Sequence, residues 1–253
     1  MSRVIGRMVL RAAVAAAIGL TGCAARGPEG VVEWVGAQHA AVHDGDVGSK
    51  VRLKDLARRD HLYAIGPVEG LRGEIIVVDG RATIVTVEGG EFRTRESLDV
   101  GAAFLVWTHA RAWVRSEMPP NVRTMEELEA HLPEAARAAG VDPSAPIAFR
   151  IEGRVKSLAF HVLNPPPSGE GGVRSAEDHE KSKIHGRIED RAVRMVGFYS
   201  TEHRGVFTPG TSDVHVHFVT EDGTIAGHVE GFELSPGAVL LVAASVNNHV
   251  RSP

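Results

Sequence analysis

The chain has 253 residues, 43% hydrophobic and 24% charged, which is enough for one large domain or two small ones with a full core. Its net charge of −4 carries no nucleic-acid signature. The lone cysteine, Cys23, excludes an internal disulfide framework.

The N-terminus reads as an export signal. Arg3, Arg7 and Arg11 surround a short apolar run, Met8–Leu10 and Ala12–Leu20, that ends in Leu20-Thr21-Gly22-Cys23. Such a run is too short to remain as a membrane helix and has the small residues of a cleavage site. The four residues are similar to a bacterial lipobox, in which cleavage precedes the cysteine and lipid is attached to it. The plain alternative is an ordinary secretory signal with a chance cysteine. Loss of residues 1–22 removes three arginines and no acids, moving the charge from −4 to about −7. Ala24 after the cysteine points to the periplasmic face of the outer membrane.

Residues 24–30 form a tether, and Val31–His43 is apolar enough for a helix ended by Asp44-Gly45-Asp46. Ser49 is placed to cap a short helix with Val51, Leu53 and Leu56 on its apolar side and Arg58 and Arg59 in its last turn. Strands are expected at 62–65, 73–78, 83–87 and 102–107, with Asp79-Gly80 and Gly89-Gly90 as hairpin turns. Thr124-Met125-Glu126-Glu127 fits a capping box opening a helix that breaks at Pro133 and ends at Gly140. Further strands are expected at 147–152 and 155–162, around a turn at Gly153, and at 192–200, 214–220, 224–234 and 238–244.

Residues 164–183, with Asn-Pro-Pro-Pro followed by a Gly-rich charged stretch, give the strongest loop signal. The chain thus divides into a tether and helix (23–45), an N-terminal β-rich lobe (46–165), a linker (166–183) and a C-terminal β lobe (184–253). The expected class is α+β: two β-rich lobes of mixed or antiparallel sheets with a few helices.

Val214-His215-Val216-His217-Phe218 places two histidines at i and i+2, on one face of a strand. Asp222-Gly223 is a two-residue hairpin signal, and the register it sets puts His217 directly opposite His228. Paired residues have Cβ atoms about 4.5–5.5 Å apart. Three imidazoles then converge, and three neutral histidines with an open fourth position describe a catalytic zinc site. The chain has 13 histidines, and an isolated strand histidine is ordinarily structural. The others, including His161 and, in a polar charged stretch, His179 and His185, are read as structural or solvated. No Walker loop, dinucleotide fingerprint, Gly-x-Ser-x-Gly elbow or His-Glu-x-x-His helix is present.

Several ordered motifs resemble the alpha-acetolactate decarboxylase family. They are Leu71-Arg72-Gly73-Glu74 through Asp79-Gly80, Ile147-Ala148-Phe149-Arg150-Ile151-Glu152-Gly153, Val196-Gly197-Phe198, Val206–Gly210 and the histidine hairpin. The resemblance runs from about Val42 to Val246. It implies zinc on His215, His217 and His228, no organic cofactor, a homodimer, and conversion of 2-acetolactate, a small 2-hydroxy-3-oxo acid, to acetoin and carbon dioxide. It implies that Arg150 holds the substrate carboxylate or a developing oxyanion, and that Glu74 moves a proton. Without it, Arg150 reads as a surface ion pair and Glu74 as a solvent-facing carboxylate.

The chain also departs from the family. A further family glutamate on a C-terminal extension has no counterpart before Pro253, and Pro67 replaces a polar residue. Glu230 falls across from His215 by the hairpin register. It reads as a solvent-facing strand acid, as a substitute for that glutamate, or as a fourth metal ligand. The leading reading is a zinc-dependent decarboxylase. The alternative is a lipid-anchored, periplasmic metal- or ligand-binding protein on the same scaffold, and a zinc hydrolase ranks last.

Overall fold

The computed structural model describes residues 29–56, 60–166, 173 and 175–244. The leader, Cys23, most of the tether, Arg58, Arg59 and the C-terminal residues from 245 on lie outside them. Among the described residues no helix is long and apolar enough to cross a membrane.

The architecture is two antiparallel sheets packed on a shared core, with few helices. The first sheet has the order β1-β8-β3-β4-β5-β6. Its strands are β1 (Val32–Val35), β3 (Leu62–Pro67), β4 (Glu74–Val78), β5 (Arg81–Glu88), β6 (Glu91–Glu96) and β8 (Leu105–His109). A two-stranded sheet of β2 (Val51–Arg52) and β7 (Gly101–Ala102) accompanies it. The second sheet has the order β11-β12-β13-β10-β14-β9 and closes on itself, because β10 also pairs with β11. Its strands are β9 (Trp113–Glu117), β10 (Ile147–Leu163), β11 (Lys183–Tyr199), β12 (Val214–Thr220), β13 (Ala226–Leu234) and β14 (Val239–Ala243).

β4 is the strand that positions the site. Its run Glu-Ile-Ile-Val-Val is apolar almost throughout because the strand is central and covered on both faces. Ile75 and Val77 pack with Leu53, Leu62 and Ile84 on one side. Ile76 faces the other way, into a core shared with Phe149, Phe198 and Phe218 of the second sheet. Alternation puts Glu74 on the same face as Ile76, toward the second sheet. Close approach of the backbone is part of this layering: a Cβ on Gly66 of β3 would lie 2.3 Å from the Phe104 carbonyl oxygen.

Several elements differ from expectation. Val31–His43 is a strand and a helix, not one helix. Gly36, at φ +71°, separates β1 from α1 (Gln38–His43), and β1 pairs with β8. Ser49 caps nothing, since Val51–Arg52 is a strand followed by a single 3-10 turn. The capping box of α2 (Met125–Ala138) forms as expected, but the helix passes through Pro133 because Leu128, Leu132 and Ala136 anchor its apolar stripe in the core.

β10 is a single strand. Gly153 is not a turn but a point of contact, where a Cβ would lie 2.8 Å from the Ala238 Cα. β10 pairs along its length with β11, so it belongs with the C-terminal strands rather than with an N-terminal lobe ending at 165. α3 (Ala176–Lys181) and the start of β11 fall within the expected linker.

Candidate metal centre

β12 and β13 pair with His217 opposite His228, the register expected. The turn between them is a four-residue loop, not the expected two-residue one. Of Asp222 and Gly223 only the glycine has positive φ, whereas a two-residue type I′ turn needs it at both. Thr220 N–H instead donates to the Ile225 carbonyl. Asp222 accepts from the Thr220 and Thr224 hydroxyls, which hold its carboxyl down to about 2. Both closures keep the same residue sum, so the histidines meet either way. The bare backbone at Gly227 leaves room for Phe160, which packs on Phe218 behind the trio.

The His215, His217 and His228 rings lie with centroids 4.8–5.2 Å apart, and one ring nitrogen from each falls within 4.8 Å of the others. Two tautomers are set by backbone carbonyls, which only accept hydrogen bonds. His215 Nδ1–H donates to Phe207 O at 2.7 Å, and His217 Nδ1–H donates to Ile75 O at 2.8 Å. Burial pushes the His215 pKa down to about 4, holds His217 and His228 well below the usual range, and keeps all three neutral.

In a neutral ring with a protonated Nδ1, Nε2 carries only a lone pair. His215 Nε2 and His217 Nε2 therefore face each other, lone pair to lone pair, at 3.0 Å. Neither can donate to the other, and the arrangement is what a cation between them requires. Two nitrogens of a tetrahedral zinc site, each about 2.0–2.1 Å from the metal, stand about 3.3 Å apart. The outer nitrogens held by backbone carbonyls supply the orienting contacts typical of metal-bound histidines.

Glu74 is 2% exposed and faces the trio, not solvent. Its Oε1 accepts the Leu163 N–H at 3.2 Å, and its Oε2 is 3.7 Å from His217 Nε2. Burial raises its pKa well above the usual carboxylate range. With Oε1 engaged by that N–H, Oε2, the oxygen nearer the histidines, is the one left to carry a proton.

Arg150 is not brought to this cluster. Its register partner Val196 pairs onward with His217, so it lies two strands from that histidine. Its guanidinium bonds the Tyr63 hydroxyl and Glu152, and it stacks over Tyr63 and Trp113.

The β10 residue that reaches the trio is His161, which local sequence gave no reason to choose. It pairs with His228 across β10 and β13 and stacks on it at 4.5 Å. The signal for it was non-local, the pairing of strands some 70 residues apart. Glu230 does not join the three nitrogens. It is the extra residue of a bulge in β13, between the pairs Phe160–Val229 and Ala159–Gly231, and this re-aims its side chain. Its carboxylate accepts from His161 Nδ1 and His185 Nδ1, each at 3.0 Å, and the His161 bond leads in holding its pKa down to about 2. Burial outweighs Glu230 at His161 and lowers its pKa, so that the ring is neutral with Nδ1–H donating to Glu230.

A cavity opens over the cluster, lined by Glu74, His161, His179, Lys183, His215 and His228, with Pro67 at its edge and Leu71, Phe104 and Leu163 as an apolar wall. The buried donor set of three imidazole nitrogens beside a buried carboxyl fits a divalent metal ion.

The sequence model of the alpha-acetolactate decarboxylase family matches residues 37–253. An alpha-acetolactate decarboxylase of Methanosarcina mazei is 24% identical over 186 residues, 73% of this chain and 60% of that protein. The chain thus spans three-fifths of that relative's length. Among solved structures, the alpha-acetolactate decarboxylase of Bacillus subtilis strain 168 matches with a TM-score of 0.67 at 17% identity, covering 84% of each chain. A Staphylococcus aureus protein of unknown function similar to alpha-acetolactate decarboxylase matches at 0.66 and 18%, with the same coverage. At these identities the likeness is one of fold.

Proposed function

This chain belongs to the alpha-acetolactate decarboxylase family, and on that premise we propose that it decarboxylates 2-acetolactate to acetoin and carbon dioxide, using zinc. The observation that carries the reading is the pair of facing Nε2 lone pairs of His215 and His217, with His228 beside them and the buried Glu74 against them. Three imidazole donors and an open position suit zinc among the divalent metals. Held by His215, His217 and His228, a zinc ion would supply Lewis-acid stabilisation of the negative charge that develops on the substrate's oxygens as carbon dioxide leaves.

The remaining steps belong to the chain's own residues. The bond between the carboxylate carbon and C2 breaks, and its electron pair stays with the remaining four-carbon skeleton. Glu74 Oε2 returns a proton to C2, giving acetoin, and is reprotonated from solvent. The backbone N–H of Leu163 fixes Oε1 so that the proton-bearing oxygen keeps its aim. Leu71, Phe104 and Leu163 exclude water from one side and accept the substrate's methyl groups.

One observation favours the alternative, a metal- or ligand-binding protein without this chemistry: the arginine assigned to the substrate carboxylate by resemblance is committed to Tyr63 and Glu152. Acetoin release separates the two readings. The purified protein is expected to turn over acetolactate at roughly 1–10³ per second, the ordinary enzymatic range. Stoichiometric metal with no acetoin above the spontaneous decay of acetolactate would leave only the binding scaffold. The lipobox-like Leu20-Thr21-Gly22-Cys23 supports an exported form lipidated at Cys23, on the periplasmic face of the outer membrane, and family habit supports a homodimer.

A further inference from the structure

We propose that Lys183 is the carboxylate-binding residue of this cavity, the group that makes it select 2-hydroxy-3-oxo acids as anions. Only the identity of the acid rests on the decarboxylase reading.

Lys183 is the one lysine or arginine among the residues lining the cavity. Its side chain is 17% exposed, against 45–70% for Lys54, Lys156 and Lys181, so it is held against the protein and not spread into solvent. It opens β11 directly opposite Leu163, the residue whose N–H binds Glu74. Lys183 and Glu74 thus line the same cavity from neighbouring positions of the two sheets. Glu74, His161, His179 and His228 line the same cavity and form its polar walls.

The protein leaves this cation available. Its partner is Glu180, at 2.5 Å, a carboxylate 63% exposed on the short helix α3. Ion pairs with exposed partners contribute little, and an ammonium has three donors, so a substrate carboxylate can share or displace Glu180. No other lysine or arginine lines the cavity, so Lys183 is the permanent cation of its wall. With a divalent cation on the histidines the cavity is strongly positive, and an anionic ligand is the one it favours. Arg150, the rival for this role, keeps its fork on Tyr63 and Glu152.

The test compares two inert probes on the zinc-loaded protein by calorimetry: 2,3-dihydroxy-2-methylbutanoate and its neutral amide, which has nearly the same shape. Wild type is expected to prefer the acid. Lys183→Met should cut that preference about 10–100-fold, the range for a hydrogen bond to a charged group, while binding the amide as wild type does. The unchanged amide affinity reports an intact fold and metal; if it is lost, Lys183→Gln is read in the same way. Lys183→Arg should retain the preference, and Arg150→Met should leave it unchanged. An acid preference undiminished in Lys183→Met, or abolished by Arg150→Met alone, overturns the proposal. Turnover plays no part in the readout. A protein that binds the acid through Lys183 yet releases no acetoin upholds the inference and refutes the decarboxylase reading, and an active enzyme indifferent to Lys183 does the reverse.

Discussion

His217→Ala is expected to lower metal affinity by more than about 100-fold, beyond the 10–100-fold typical of losing a mere supporting contact to a metal ligand. His217 is 1% exposed, shares its Nε2 face with His215, and is adjacent to both other ligands. The substitution also leaves the Ile75 carbonyl buried without its donor, at a cost of about 1–3 kcal/mol, on top of the cavity left by the ring. In wild type, metal at a thousandfold excess over its dissociation constant adds about 4 kcal/mol to stability. Wild-type melting temperature should therefore rise on adding zinc, and that of His217→Ala should not. Metal content by elemental analysis and melts with and without zinc check both parts; a variant that keeps a full equivalent of metal would remove His217 from the site.

The ligands also set the sign of the pH response. His215 has its pKa lowered from 6.5 to about 4 by burial, so the fold disfavours its protonation. A group depressed in this way contributes its stability above the unfolded value, and that contribution is lost as pH falls through the folded one. Stability of the metal-free protein should decline between about pH 6.5 and 4, and metal affinity should fall with it as protons compete for the ligands.

Glu74→Gln is expected to reduce kcat by about 10²–10⁴, the contribution of a positioned acid or base, with metal content and KM close to wild type. The substitution is isosteric, and burial, which raises the Glu74 pKa, favours the neutral form that the amide mimics. The amide oxygen can still accept the Leu163 N–H, so the fold loses nothing there. Only the transferable proton is removed. Stability carries a second signature. A carboxyl with a raised pKa contributes fully below its unfolded value of about 4.5 and loses that contribution as pH rises through the folded one. Glu74→Gln should therefore be more resistant to alkaline pH than wild type. An unchanged kcat would leave Glu74 as a structural acid and move proton transfer elsewhere.

Much of this site was legible locally. His215 and His217 share a face by strand periodicity, and His228 is joined to them by a turn whose two possible closures preserve the register. Glu74 needed the family resemblance, because an acid at the head of an apolar strand reads equally well as exposed; only the facing sheet buries it. His161, Lys183 and the true setting of Glu230 were illegible for a different reason. They depend on β10 pairing with both β11 and β13, and on a bulge that local sequence does not announce. Arg150 shows the hazard of carrying over a motif by its residue type: on a strand 17 residues long, the position that reaches the cluster lies eleven residues further on, at His161.

In the fold, hairpins with paired positive-φ residues, Asp79-Gly80 and Gly89-Gly90, were readable from their turns. The edge strands β6 and β9, exposed and polar along most of their length, were not. Neither was the break at Gly36, where a positive φ coincides with close packing against the Ala103 carbonyl, Lys50 and Phe104.

The most direct measurement is reconstitution. Protein stripped of metal by a chelator should show only the spontaneous rate of acetoin formation from acetolactate. Activity should then rise linearly with added zinc and break at one equivalent per chain, with the same endpoint in a melting curve followed in parallel. A stripped protein that retains its full rate, or a zinc-saturated one that never exceeds the spontaneous rate, would contradict the account.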